Sequence, residues 1–466
     1  MNTLHNLNKP GQAPGAPDSR RLVPQKTDSR ISTLAPEMAA VQASLQQQMV
    51  SESRLASLKL VWIKIHPQEG LRLLYQAESE DEQHYFFGRS LPLADGLKYE
   101  AKINRLFSEH KYQTRLQRFR QPAIYSAELS MLFQFFPADW RLPFLVPATD
   151  AEVMRKILTQ VLGTERDAQA ISAVSVKVVQ YKPQRKCLIQ YQLQLHAPNQ
   201  SELTTEFVYG KVFRKAERVF ENLQKIHGAW HSSVFEIPRP LGLVPELRLM
   251  LLSHLPGRHL SLLTESAGFG QLCQEIARGL LEFQQTPVLL DEVKGRSDEL
   301  RELNTWGEEF ARAWPKEAGR IRRLVAILGS RLTCAPLLQG LVHGDFHVAN
   351  LLVDSERLGL LDFENCFMGN PAIDVGSFYA QLKLLSLKVY ADSQALQTSI
   401  EAFLETYLRG CTDDVRESVS TYCALSCLWC AYFQCLLRPV KAGWLERAHV
   451  MLQLCEEILA KGFDHV

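Results

Sequence analysis

Between Leu341 and Gly376 the chain reads LVHGDFHVANLLVDSERLGLLDFENCFMGNPAIDVG, and no other stretch restricts its fold so tightly. An Asp stands at 345, an Asn five residues on at 350, and a second Asp twelve residues later at 362. Asn350–Val353 and Arg357–Leu361 are apolar and strand-like, and Asp354-Ser355-Glu356 between them is turn chemistry, so the segment predicts loop, strand, turn, strand. A hairpin of that length returns Asp362 to the neighbourhood of Asn350. Two hard oxygen ligands so placed suit Mg²⁺, which keeps waters and shares phosphate oxygens rather than requiring a full protein cage. Asp345, just ahead of the hairpin, is left to orient a hydroxyl for attack.

The segment resembles the catalytic stretch of the aminoglycoside phosphotransferase and choline kinase group, small-molecule kinases with a protein-kinase-like fold. The shared pattern is H-G-D-x-H-x-x-N followed by a hydrophobic-D-[FW]-E run. Here it stands as His343, Gly344, Asp345, His347 and Asn350, then Leu361, Asp362, Phe363 and Glu364. The run from Gly369 through Asn370, Pro371 and Asp374 to Val375 matches the group's G-[DN]-P-x-x-D-hydrophobic continuation. Three separated elements agree in order and spacing. The resemblance implies Asp345 as catalytic base and Asn350 and Asp362 as Mg²⁺ ligands bridging nucleotide phosphates, the roles of the catalytic-loop Asn and the DFG Asp in protein kinases. It implies structural support of the catalytic loop from His343, His347 and Asp374.

At 466 residues the chain is long enough for two or three domains. Its 46% apolar and 22% charged content is that of a soluble globular protein, and a net charge of +1 argues against nucleic acid or an anionic membrane as a general partner. Ten cysteines, thinly spread and mostly in apolar helical surroundings, read as reduced and buried, which points to a cytoplasmic protein without a disulfide framework. The first residues show no apolar core behind a basic start, so no secretory leader is expected.

Residues 1–50, with scattered Pro and Gly and the Gln46-Gln47-Gln48 run, read as a disordered tail with a short helix from Pro36 to about Ser57. Residues 51–145 read as a small α+β module. Leu60–Ile65, Leu71–Tyr75 and His84–Phe87 are its strands, a turn lies at His66–Gly70, Tyr99–Ser108 has helical spacing, and Ala123–Phe136 is rich in apolar and aromatic residues. Its role is a docking or self-association surface, or a structural extension.

Residues 146–255 read as the β-rich lobe. A helix opens at Thr149, and Val174–Tyr181 and Cys187–Leu195 are strands around a basic turn containing Lys182, Arg185 and Lys186. No G-x-G-x-x-G is present. In the family this hairpin turn lies over the ATP phosphates, and Tyr-Lys-Pro-x-Arg-[RK]-Cys is similar to a loop in a bacterial branch. Glu206–Phe213 is a third strand, and Lys211 occupies the place of the family's strand lysine, which meets the α- and β-phosphates and pairs with a helix glutamate. In the next helix, Arg214 to about His227, Glu217 and Glu221 both flank an apolar stripe; helical geometry sets Glu217 nearer, and the family's spacing favours Glu221. Leu247–Leu255 is a further strand. Leu255-Pro256-Gly257-Arg258-His259-Leu260 resembles the family hinge, where backbone around Ser253, His254 and Leu255 would meet adenine.

Residues 256–466 read as a helical lobe with helices near Phe269–Gln285, Glu299–Trp314, Glu317–Leu332, Ser377–Val389, Leu396–Leu408, Val415–Leu437 and Leu445–Leu459. Cys423, Cys427 and Cys430 have iron–sulfur spacing, yet at i, i+4 and i+7 of an apolar helix they form one buried stripe. Thr421–Leu437 lacks charge but is short of a membrane span, and reads as a bundle helix. The expected fold is α+β: a two-lobed protein-kinase-like phosphotransferase with an additional N-terminal module. The resemblance implies ATP and Mg²⁺ as cofactors and a small-molecule hydroxyl (sugar, amino alcohol or related metabolite) as acceptor. A catalytically silent scaffold and an antibiotic kinase are the alternatives.

Overall fold

The structure is a computed structural model that describes residues 36–50, 55, 57–66, 70–79, 82–108, 119–163, 170–196, 203–266, 268–354, 357–437 and 443–462. The expected tail at 1–35, the centre of the His66–Gly70 turn, Ser355, Glu356, Arg438 and Lys441 lie outside them. The chain divides into two compact units, one taking Lys26–Phe220 and Arg239–His254, the other Glu221–Pro238 and Leu255–Val466.

The first unit holds two antiparallel sheets. After helix α1 (Met38–Gln46) come β1 (Ser57–His66), β2 (Gly70–Ser79) and β3 (Glu82–Ser90), then helix α2 (Leu93–Leu106), β4 (Ala123–Ser126) and β5 (Met131–Phe135), in the order β1-β2-β3-β5-β4. The apolar run at 123–136 is thus two strands meeting at a tight turn, where Ser130 takes a left-handed φ of 49°. Helix α3 (Ala151–Leu162) is capped by the Asp150 carboxylate, which accepts from Glu152 N and Val153 N. Its buried stripe of Met154, Leu158 and Leu162 repeats at i, i+4 and i+8. Each such fully buried side chain contributes about 2 kcal/mol of burial free energy.

The second sheet runs β10-β11-β8-β7-β6, from β6 (Ala170–Lys182), β7 (Lys186–His196), β8 (Leu203–Phe213), β10 (Pro240–Val244) and β11 (Leu249–Ser253). Along β7 side chains alternate between faces, and Cys187, Ile189, Tyr191, Leu193 and Leu195 point into the core. Those side chains share one core with Leu74 of β2, Phe87 of β3 and the α3 stripe, so both sheets of this unit are sides of a single apolar interior. Gly210 lies across from Ile189, and a Cβ there would strike the Tyr191 ring at 2.5 Å. Helix α4 (Ala216–Ala229) buries Ala216, Phe220, Leu223 and Ile226, the stripe its sequence announces.

The second unit is mainly helical. A small sheet of order β12-β14-β15-β9 is made by β9 (Phe235–Glu236), β12 (Arg258–His259), β14 (Leu351–Val353) and β15 (Leu358–Leu360), with β9 parallel to β15. A two-stranded ribbon pairs β13 (Gly340–Val342) with β16 (Phe367–Gly369). Around them stand α5 (Phe269–Gln284), α6 (Arg296–Ala313), α7 (Ala318–Cys334), α8 (Ala372–Val389), α9 (Gln397–Gly410), α10 (Asp413–Leu437) and α11 (Trp444–Lys461). Helix α8 starts five residues earlier than its apolar spacing suggests, because Asn370 Oδ1 accepts from Ala372 N and anchors the first turn there. Helix α10 is long and apolar enough to cross a membrane, yet Val419, Cys423, Cys427 and Leu428 are fully buried against other helices. Cys423, Cys427 and Cys430 are free thiols on that helix, whose burial raises their pKa values and keeps them protonated.

Candidate active site

The hairpin of β14 and β15 sets the geometry. Its register pairs Leu351 with Leu360, and Leu361 N donates to Asn350 O at 2.9 Å, which extends the ladder by one step. Asp362 therefore emerges beside Asn350, as the turn length requires. Its backbone is left-handed, with φ 68° and ψ 61°, a conformation that a non-glycine residue adopts at an energetic cost.

Asp345 is held at three points by its own loop. Its N–H donates to His343 Nδ1 at 3.3 Å, its carbonyl accepts from Asn350 Nδ2 at 2.9 Å, and its Oδ1 lies 3.2 Å from His347 Nε2. His347 Nδ1 accepts from Ala349 N at 3.1 Å, which leaves the proton on Nε2, facing Asp345. Burial pushes the Asp345 carboxyl upward, but the hydrogen bond and electrostatic attraction from His347 more than reverse this, so it sits below the usual carboxylate range. Asp362 acts on it in the opposite sense by charge repulsion, which places the two carboxylates in one local field.

Behind this loop lies an apolar floor. His343 is fully buried among the rings of Phe363, Phe283 and Phe346, with centroids 5.1, 5.9 and 6.1 Å away. Its Nε2 bonds Leu361 O at 3.0 Å while Nδ1 accepts from Asp345 N, so one neutral imidazole ties the residue before Asp362 to Asp345 itself. Asp374, at the start of α8, accepts from His343 N at 2.7 Å and Gly344 N at 2.9 Å. Burial drives the Asp374 carboxyl up to about 7 against those bonds and one from Gln284. Gln284 in turn donates to Pro371 O and accepts from Tyr407 OH.

The buried imidazole has a thermodynamic consequence. Burial lowers the His343 pKa from the usual 6.5 to about 4, so on acidification the unfolded chain binds this proton before the folded one. The stabilisation is complete above pH 6.5 and is lost as the pH falls toward 4, worth about 3 kcal/mol at the limit. Asp374, whose folded carboxyl is raised to about 7, takes up its own proton over the same range and opposes this loss. The His343 contribution is therefore read as a difference: between pH 6.5 and 4 the melting temperature of the metal-free and nucleotide-free wild type should fall relative to that of His343→Gln. An unchanged profile in the variant would remove His343 from this role.

The remaining sequence candidates lie in or at the edge of the other unit. Lys211 sits in the middle strand of its sheet, opposite Leu188 and Met250, and is 7% exposed, with its Nζ 5.8 Å from the Phe213 ring centre. Glu217 and Glu221 are both exposed on α4. Lys182 and Arg185 are exposed on the β6–β7 turn. Ser253 closes β11 with its Oγ accepting from Arg239 N at 2.8 Å, and His254 stacks on Tyr209 at 5.7 Å. The chain passes to the helical unit between His254 and Leu255, where the hinge was read. Gly257 there has φ 126°, and a Cβ would press on the Val353 backbone at 3.0 Å, which explains its place between buried Leu255 and Leu260.

The structure thus gathers Asp345, Asn350, Asp362, His343, His347 and Asp374. Asn370 and Gln284 also buttress the loop; Asn370 stood inside a motif, whereas nothing in the sequence marks Gln284. Among the described residues no group of three His, Cys, Asp or Glu side chains could hold a metal ion alone. A cation at Asn350 and Asp362 would therefore complete its shell from a ligand and water, the habit of Mg²⁺ with nucleotides.

Residues 210–415, a little under half of the chain, match the model described as the phosphotransferase enzyme family. The resemblance to the aminoglycoside phosphotransferase and choline kinase group therefore holds. No curated protein matches the sequence. Among solved structures, a choline/ethanolamine kinase family protein from Mesorhizobium loti aligns at 15% identity and TM-score 0.41, over 58% of this chain and 86% of its own. A choline kinase from Cryptosporidium parvum aligns at 11% and 0.45, over 67% and 97%. A thermostable mutant aminoglycoside phosphotransferase, in a ternary complex with ADP and hygromycin B, aligns at 13% and 0.46, over 66% and 98%.

Proposed function

We propose that this chain is an ATP- and Mg²⁺-dependent phosphotransferase that moves the γ-phosphate to a hydroxyl of a small molecule. The observation that carries the reading is the gathering of Asp345, Asn350 and Asp362 on one loop and hairpin, with Asp345 ionised and oriented by His347. The family match over 210–415 supports it.

In this reading Asp345 accepts a hydrogen bond from the acceptor hydroxyl at its remaining oxygen and takes the proton as the new P–O bond forms and the bond from the γ-phosphorus to the bridging oxygen breaks, with ADP as the leaving group. His347 and Asn350 prevent the carboxylate from turning away, and neutral His343 keeps Asp345 and Asp362 in register. Bound Mg²⁺ supplies neutralisation of phosphate charge. Asn350 Oδ1 and the Asp362 carboxylate would hold it, since Asn350 Nδ2 is committed to Asp345 O. Lys211, Lys182 and Arg185 are assigned to the nucleotide phosphates, and the Ser253–Leu255 backbone to adenine.

Calorimetry of ATP with the wild type and Asp362→Asn, each with and without Mg²⁺, tests the reading. Mg²⁺ should tighten binding by about tenfold or more in the wild type and by little in the variant, the size of one lost charged ligand contact. Equal metal dependence in both would place the cation elsewhere. Absence of binding in both would leave a catalytically silent kinase-like scaffold.

A further inference from the structure

The turn joining β6 to β7 takes its shape from a residue far outside its own sheet. Asp139, 1% exposed and just after β5, accepts at Oδ1 from Arg141 N at 2.9 Å and Leu142 N at 3.3 Å. Its Oδ2 accepts from Tyr181 OH at 2.8 Å and from Gln184 N. One buried carboxylate with four donors thus ties the 139–142 segment to the tip of the turn.

The turn needs such an anchor. Gln184 carries φ 60°, in the left-handed region that side chains disfavour. Its side-chain amide is 6% exposed with neither Nε2 nor Oε1 hydrogen-bonded. Lys182-Pro183-Gln184-Arg185-Lys186 contains no glycine, so both penalties persist only because the surroundings impose the conformation. Backbone strain held in place by a dedicated buried group is a pattern of ligand-contacting loops, where a fixed array of N–H groups and flanking cations meets an anion. Lys182 and Arg185, exposed on either side of the strained residue, supply the cations.

We propose that Asp139 is a positioning residue for nucleotide, holding the 182–186 turn in its phosphate-ready shape in place of a glycine-rich loop. The inference rests on the phosphotransferase reading above. It makes the N-terminal module, through Asp139, part of the nucleotide-binding machinery.

The test uses the full chain, with Mg·ATP calorimetry and hydrogen–deuterium exchange on Asp139→Asn, Gln184→Gly and the double variant. Asn at 139 sets an amide where two donors arrive, so turn amides should exchange faster and the ATP dissociation constant should rise about tenfold. Glycine at 184 takes φ 60° without strain, so the double variant should regain most of that affinity even while its melting temperature stays low. A merely structural Asp139 would give no such rescue. A wild type that binds ATP with an Asp139→Asn variant that binds equally well, or no rescue by glycine, overturns this inference alone. A wild type that binds no ATP overturns the phosphotransferase reading and this inference together. If Asp139→Asn does not fold, Tyr181→Phe removes one donor more gently and should raise the dissociation constant about threefold; an unchanged constant there also overturns the proposal.

Discussion

Asp345→Asn should slow phosphoryl transfer about a thousandfold while leaving Mg·ATP affinity within a few-fold of wild type. The substitution is close to isosteric, and its structural bonds survive. The backbone N–H to His343 and the carbonyl to Asn350 do not change, and an amide oxygen can still accept from His347. What disappears is the proton acceptor, because the other end of the amide is a donor. In the wild type the carboxyl lies below its usual range, so it is ionised throughout the neutral region and the rate should fall only in acid. ADP release, followed with the acceptor the wild type uses or with water, reads the effect. Full activity in the variant would take Asp345 out of the base role, and lost nucleotide binding would mean that the loop had moved.

The second large effect is expected at Gly344. Its φ of 74° is open to glycine, and a Cβ there would stand 2.4 Å from Asn365 O and 3.1 Å from the Phe367 ring. Neither neighbour yields easily: one is backbone, and Phe367 belongs to β16, paired with β13. Left-handed strain and overlap together should make Gly344→Ala about 3 kcal/mol less stable. For a unit of this size that corresponds to a melting shift of roughly 5–10 °C. The Gly344 N–H is also one of two backbone donors on Asp374, so relief of the overlap by backbone movement would drag Asp345 with it. Transfer should therefore fall by more than the loss of folded protein explains. Unaltered melting would mean that the loop adopts another conformation.

How much was legible follows from the range of each interaction. The β14–β15 hairpin, its turn and the return of Asp362 to Asn350 are local, set by apolar runs and turn residues within a dozen positions. The helices of the second unit announced themselves by spacing, and the largest displacement of an end, five residues at the start of α8, falls where Asn370 hydrogen-bonds the first turn. Contacts between distant segments were silent. Nothing near Gln184 reveals that a carboxylate 45 residues earlier receives its N–H. The common interior of the two sheets was equally hidden, because Leu74 and Tyr191 carry no mark of sharing a core. The strand that carries Lys211 was legible, whereas the choice between Glu217 and Glu221 depends on side-chain reach, which spacing does not encode.

The parallel pairing of β9 with β15 bears on how the chain can be cut. Phe235 is 1% exposed and lies opposite Leu358, but it precedes the last two strands of the other unit, β10 and β11. A fragment beginning at Leu255 would contain Asp345, Asn350 and Asp362 and still lack one edge of its sheet. Its β15 would present unpaired backbone groups, and the space left by Phe235 would open beside Phe346 and Gly279. Such a piece invites strand addition from its neighbours. Expression boundaries for the helical unit must therefore begin ahead of Glu221 and carry the intervening β10–β11 hairpin along.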